Sequence, residues 1–198
     1  MPYPGNLVGD AGGNNAGDFL KLLGNGKEFG LRHLDYTYQE GEGGIADALR
    51  LAEYFADGEP VCVVHGQSHF VTVAQAFGDQ KIGAKILLKE VKDPQRFGLT
   101  VLAGTHVVTI EEKPKNPRSP YAVTGIYFYD STVFKIIKTL KPSGRGELEI
   151  TDVNNAYIRA GQLTWDVLEG WWTDAGTIES LFFANQLVAE TGANKMES

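Results

Sequence analysis

"LRHLDYTYQEGEGGIADALRLAEYFADGEPVCVVH", residues 31–65, changes its hydrophobic period twice, and those changes decide the fold class. "LRHLDYTYQ" alternates apolar and polar residues as a half-buried strand does. "EGEGG" is loop chemistry. From Gly44 onward, Ile45, Ala48, Leu49, Ala52 and Phe55 recur at three- and four-residue spacing, which lays one apolar stripe along a helix ending near Gly58. "PVCVVH" then runs without alternation, the pattern of a strand buried on both faces in a sheet covered by helices. Strand, glycine loop, helix and strand make a β-α-β unit.

Outward from this unit the alternation continues. Residues 1–17 are rich in Gly, Asn, Asp and Pro and hold no Lys or Arg, so they read as a loop-rich lead. Asp18 is placed to cap a short helix, "FLKLLGNG", that Gly24 or Gly26 ends. "FVTVAQAF" continues as helix and "GAKILLKEV" as strand. "GLTVLAGTHVVTIEEKP" reads as two strands around Gly104, and "YAVTGIYFYD", dense in β-branched and aromatic residues, as another strand. Helices are expected at "STVFKIIKTL", "ITDVNNAYIRAG" and "TIESLFFANQLVAET", with a strand at "LTWDVLE". Strands alternating with helices over 198 residues predict a single α/β domain with a mixed, mainly parallel sheet.

Composition limits the partners. A formal net charge of −7 works against nucleic acid and anionic membranes, both of which need a basic face. No run approaches the roughly 18 apolar residues of a membrane span, and the opening lacks the basic and apolar regions of a signal peptide. A cytoplasmic protein is expected. Its one cysteine, Cys62, reads as a small buried side chain.

Specific words carry the reading further. "FLKLLGNGKEFGL", "DPQRFG", "EEKP", "YAVTGIYFYD", "RGELEITDVN" and "DAGT" occur in one order between Phe19 and Leu187. This ordered set resembles the sugar-1-phosphate nucleotidylyltransferases, most closely the glucose-1-phosphate thymidylyltransferases. The resemblance implies a Rossmann-like three-layer α/β/α sandwich. It also implies a reaction in which a sugar 1-phosphate attacks the α-phosphorus of a nucleoside triphosphate, helped by magnesium, to give a nucleotide sugar (dTDP-glucose) and pyrophosphate.

The same resemblance assigns Lys113, Arg145 and Asp174 to catalysis. A fixed ammonium at Lys113 holds a phosphate as a point charge, and the Arg145 guanidinium clamps one bidentately; the alternative for both is a solvated surface charge. Substrate binding is implied for Gln39, Gly44, Gly98, Glu112 and Val123 besides the two cations. Glu112 accepts from sugar hydroxyls, or else only solubilises a strand edge. Gly98 and Val123 line the sugar pocket through their backbones, Val123 serving the core as well. Gln39 and Gly44 meet the base, although a plain turn before a helix needs glycine too. Asp174 is placed as a magnesium ligand, with a helix N-cap as its other use. Phe97 stands where the family usually has Tyr.

Two departures concern catalysis. In "VVHGQSHF", residues 63–70, Gln67 occupies the place of the family's other metal-binding Asp, and a neutral amide is a poorer ligand for a hard cation. His65 and His69 are read as strand-end side chains rather than a metal pair. The second departure is that nothing before Phe19 matches the family's first strand and its basic, glycine-rich phosphate loop. A neighbouring strand edge then invites cover by residues 1–17 or by another subunit. The expectation is a protein that keeps sugar-phosphate or nucleotide-sugar binding while its turnover is impaired, needing magnesium only if active. The alternatives are an active enzyme whose missing elements come from another chain, and a structural or interaction module; the partners expected are a second copy in a homo-oligomer or a full-length homologue.

Overall fold

The computed structural model describes residues 6–10, 16–65, 82–173 and 177–191. The chain divides into two compact units, one of residues 1–59 and 133–153, the other of residues 60–132 and 154–198.

In the first unit β1 (Asn6–Asp10) pairs in parallel with β2 (His33–Thr37), from Asn6 opposite His33 to Asp10 opposite Thr37. The lead is therefore not loop throughout. Its strand is made by pairing rather than by local propensity: β2 offers an edge of unpaired backbone groups, and five residues of the lead cover it. Helix α1 (Ala16–Leu23) begins before Asp18, which sits in the first turn, where a carboxylate favours the helix dipole, instead of capping it. The helix stops at Gly24, whose φ is 53° and whose N–H donates to the Leu20 carbonyl at 3.0 Å.

The periodic stretch after Gly44 forms α2 (Ile45–Leu51) and α3 (Glu53–Ala56), separated only at Ala52. Two successive left-handed residues, Asp57 (φ 47°) and Gly58 (φ 81°), end it where the sequence predicts. Ala46 and Leu49 turn inward from α2, as do Val133, Phe134 and Ile137 from α4 (Thr132–Ile137).

In the second unit β3 (Val61–Val64), β4 (Ala84–Glu90), β5 (Gly98–Ala103), β6 (His106–Glu112), β7 (Tyr121–Tyr129) and β8 (Leu163–Val167) form one sheet. It is mixed, as expected, but its neighbours are mostly antiparallel rather than mainly parallel. β7 lies in the middle and runs against β3, β4 and β5; β6 runs against β5; only β8 lies parallel to its neighbour, β4. Four of the six strands do share one direction, and an opposed strand among them sets the pairing.

β7 is also irregular. Ile86 pairs with Tyr127 and Leu88 with Val123, so three residues, Thr124 to Ile126, face Leu87 alone. Gly125, with φ 77°, makes this bulge possible, because a side chain there would fall on the His65 carbonyl oxygen. The His65 N–H donates to the Gly125 carbonyl at 2.7 Å, tying the end of β3 to the bulge. β3 itself is less buried than its run of valines predicts: Val64 and Cys62 are exposed. Residues crowding Cys62 still push its thiol up to about 11, so partial exposure does not make it a thiolate at neutral pH.

Leu87, Ile126, Phe128 and Leu168 form a buried cluster with Trp172 packed against it. Burying side chains of this size stabilises by about 1.5–3 kcal/mol each. On the face of β7 opposite Ile126 and Phe128, Tyr127 and Tyr129 stack in sequence with Tyr157, with centroids 5.9 and 5.6 Å apart. Tyr157 lies on α5 (Ile150–Arg159). Their buried hydroxyls need partners: Tyr129 donates to Asn154 at 2.7 Å and Tyr157 to Asp130 at 2.8 Å.

Helix α6 (Ile178–Thr191) is capped by Thr177, whose Oγ1 accepts the Ser180 N–H at 3.1 Å while its own N–H donates to the Ser180 Oγ at 3.0 Å. That reciprocal pair fills the capping role weighed for Asp174. Among the described residues no helix is long and apolar enough to cross a membrane. The helix expected at 70–77 lies outside the described residues.

Candidate functional site

The first unit gathers three of the candidate residues around one backbone staple. The loop before α2 meets the stretch after Arg145 twice: the Leu148 N–H donates to the Gly43 carbonyl at 2.8 Å, and the Ala46 N–H donates to the Leu148 carbonyl at 3.3 Å. Gly44 is required by this approach. Its φ is 86°, and a Cβ there would stand 2.7 Å from the Leu148 oxygen. The glycine therefore does more than begin a turn.

Gln39 is fixed against the same loop. Its Nε2 donates to the Gly44 carbonyl at 3.0 Å and to Asp47 Oδ2 at 2.9 Å. Asp47 in turn accepts from Arg50, and the Gln39 hydrogen bond, opposed by partial burial and helped by Arg50, holds its carboxyl below the usual value. On the other side of the staple the Arg145 guanidinium holds the Glu149 carboxylate at 2.9 to 3.2 Å and lies 3.4 Å from Glu147. Gln39, Gly44 and Arg145 are thus brought together through Leu148.

The second unit gathers four more. Gly98 and Glu112 are partners at the open end of the β5–β6 hairpin. The Lys113 N–H donates to the Phe97 carbonyl at 3.1 Å, which closes that end. Lys113 has a φ of 41°, a left-handed conformation that costs a residue with a side chain about 1–3 kcal/mol and is found most often at functional sites. Val123 adjoins Ala122, the residue that pairs β7 with Leu99 of β5. Glu112 stands near Tyr127, whose phenol is pushed up first by burial and then by that carboxylate. Phe97, in the usual place of a Tyr, packs edge-on against Trp172 at 5.2 Å, and the indole N–H donates to the Thr124 carbonyl in the bulge at 3.1 Å.

Gln67, His69 and Asp174 lie outside the described residues. Among the described residues no group of three or more His, Cys, Asp or Glu side chains is arranged to hold a metal ion.

A family model described as nucleotidyl transferase matches residues 14–191. The chain belongs to the nucleotidyl transferase family. Among curated relatives it is 42% identical over 191 residues to a glucose-1-phosphate thymidylyltransferase of Neisseria meningitidis, covering 92% of this chain and 65% of the relative. It is 35% identical to a low-salt glycan biosynthesis nucleotidyltransferase of Haloferax volcanii, covering 87% of this chain and 50% of the relative. A putative glucose-1-phosphate thymidylyltransferase of Bacillus anthracis, crystallised with sucrose, superposes with a TM-score of 0.83 at 48% identity, over 91% of this chain and 74% of that one. A UDP-glucose pyrophosphorylase complexed with UDP-glucose, 18% identical, shares the fold with a TM-score of 0.74 over 94% of this chain and 81% of that one. The chain spans 56 to 65% of the length of its first curated relatives. It is a glucose-1-phosphate thymidylyltransferase-like member of the nucleotidyl transferase family, with the α/β fold and mixed sheet expected of it.

Reading the motifs missed Asp47 and Glu149, the carboxylates that hold Gln39 and Arg145. The Arg145–Glu149 pair had a visible signal, opposite charges four residues apart. Asp47 had a weaker one, a carboxylate in the first turn of the helix that follows the glycine loop.

Proposed function

We propose that this nucleotidyl transferase homologue binds a sugar 1-phosphate, or the nucleotide sugar formed from it, and that its turnover is impaired. The observation that carries the reading is the staple through Leu148, which joins the loop holding the Gln39 amide to the stretch after the Arg145 guanidinium in one unit. In this reading Gln39 and the Gly44 backbone meet the base, and Arg145 takes a phosphate bidentately once Glu149 shares or yields it. In the other unit Lys113 offers a cation to a phosphate. Glu112 accepts from the hexose hydroxyls, with the backbones of Gly98 and Val123 beside it.

Impairment is read from one position. By sequence, Gln67 stands where the family carries a metal-binding carboxylate, and a neutral amide is a poorer ligand than an anionic oxygen for a hard cation such as magnesium. Charge on the phosphates then falls to cationic side chains alone, which can bind a polyanion more readily than they can stabilise a leaving pyrophosphate.

The test is a calorimetric titration with glucose 1-phosphate, thymidine triphosphate and dTDP-glucose, each with and without magnesium, together with an assay of pyrophosphate release. Binding of the sugar phosphate or the nucleotide sugar without appreciable turnover is expected. Pyrophosphate release by this chain alone at an ordinary enzymatic rate overturns the impairment. Failure of every ligand to bind or to raise the melting temperature overturns the whole reading.

A further inference from the structure

β6 and β8 stand at opposite ends of the sheet order, yet the turn between β5 and β6 reaches β8. The Trp165 indole Nε1–H donates to the Thr105 carbonyl at 2.9 Å and pins the tip of that hairpin. Asn155 on α5 pins its middle: the side-chain amide donates to the Ile110 carbonyl and accepts the Ile110 N–H, both at 2.9 Å. The hairpin tip, the end of α5 and the start of β8 enclose a cleft of about 570 Å³, inside the range of about 300–1,000 Å³ typical of small-molecule sites. The α5 wall is closed off at Gly161, whose φ is 68°. Its N–H donates to the Ile158 carbonyl at 2.9 Å, and the Gln162 N–H donates to that of Tyr157 at 2.9 Å. Each wall of the cleft is therefore fixed by hydrogen bonds.

The lining sorts ligands by charge. Among the described residues it holds no Lys, Arg, Asp or Glu, so nothing there balances a phosphate or an ammonium group, and burying an unpaired charge is costly. Asp166, next along β8, is already taken by Lys85 at 2.6 Å. The walls do not suit a purely apolar ligand either. Val107, Ile158, Leu163 and Trp165 are apolar and half-buried, but Thr105 and His106 stand exposed beside them. The His106 imidazole has no hydrogen-bond or ion-pair partner among the described residues. An indole whose N–H is already donated offers a ligand only apolar surface, and a neutral imidazole beside it offers one donor and one acceptor. That combination matches a molecule with a face of C–H groups and a rim of hydroxyls, which is what a pyranose ring is. We propose that this cleft binds an uncharged saccharide, stacked on Trp165 and hydrogen-bonded to His106. The cleft lies apart from the sugar-phosphate residues of the same unit: His106 opens β6 and Glu112 ends it, about 20 Å away at about 3.4 Å per residue.

The test is titration of the full chain with maltose, cellobiose and sucrose by calorimetry, with saturation-transfer NMR to reach weak binding. At least one of these sugars is expected to bind, and excess glucose 1-phosphate is expected not to displace it. Trp165→Ala should lower the affinity about tenfold or more, whereas Trp165→Phe, which keeps a ring to stack on, should stay within about threefold of the wild type. His106→Ala changes an exposed position, where folding is little affected, and should lower the affinity about threefold or more. The melting temperature checks the folding of each variant, and His106→Ala decides if Trp165→Ala does not fold. Lys113→Gly should bind the saccharide as the wild type does. Binding of none of the three sugars overturns the proposal, as does an affinity unchanged in a folded Trp165→Ala or in His106→Ala. Displacement by glucose 1-phosphate, or loss of binding in Lys113→Gly, places the sugar at the sugar-phosphate residues and overturns it too.

Discussion

Arg145 and Glu149 lie four residues apart, and the guanidinium grips the carboxylate through Nε and a terminal nitrogen, with contacts of 2.9, 3.0 and 3.2 Å. Ser143 donates its hydroxyl to the same carboxylate at 2.7 Å, so the pair is built into the loop that the Leu148 staple secures. A phosphate reaching Arg145 meets a planar fork already oriented, and it competes with a carboxylate for that fork.

This geometry sets the outcome of Arg145→Lys. The charge is kept, but a lysine ammonium cannot hold Glu149 and a phosphate through one rigid fork. Affinity for glucose 1-phosphate is expected to fall about tenfold or more, equivalent to about 1.4 kcal/mol, by titration calorimetry. An affinity equal to that of the wild type removes Arg145 from the phosphate site.

Lys113 allows binding to be separated from folding. Lys113→Gly relieves a left-handed side-chain residue while adding chain entropy to the unfolded state, two effects that offset to within about 1 kcal/mol. Urea unfolding should therefore be little changed, while sugar-phosphate binding is lost. Full binding by a well-folded Lys113→Gly protein shows that the ammonium has no part in the site.

Asp130 predicts how stability responds to acid. Burial raises its pKa, but hydrogen bonds from Thr132, Gly83 and Tyr157 outweigh that and hold it below the ordinary 3.8. A carboxylate depressed in the folded state stabilises above its unfolded value, and that contribution is lost as the pH falls through the folded one. Stability is expected to be level above about pH 5 in this respect and to decline below about 3.8. Asp130→Asn should cost about 1–3 kcal/mol at neutral pH and flatten part of the acid decline. An identical acid decline in the variant shows that other groups cause it.

Cys62 can be checked by chemistry alone, as the one cysteine of the chain. With its thiol pushed up to about 11, little thiolate exists at pH 8. Alkylation at pH 8 should run about tenfold or more slower than that of free cysteine and quicken as the pH rises. A rate equal to that of free cysteine shows that the crowding does not act on the thiol.

Much of this protein is legible along the chain, for reasons local to each segment. The stripe from Ile45 to Phe55 must be helical because its spacing admits no other buried face, and Asp57 and Gly58 end it by adopting left-handed backbone angles. "YAVTGIYFYD" becomes a strand because branched and aromatic side chains suit a pleated surface. The motifs could be matched in order because each is contiguous, and the chain's membership of the nucleotidyl transferase family agrees with that order.

What folding alone decided is everything that joins distant residues. No local signal says that β7 enters the middle of the sheet, yet that placement makes most neighbours antiparallel and opens the bulge at Gly125. The lead becomes a strand only because β2 presents an edge to it, and Cys62 is exposed because strand burial depends on what packs over it. Gln39 is bound to Asp47 across a turn, and Leu148 is stapled to Gly43 from more than a hundred residues away. Periodicity reports which face of an element is apolar. Hydrogen bonds between elements, which fix the orientation of the Gln39 amide, arise only when the chain has closed on itself.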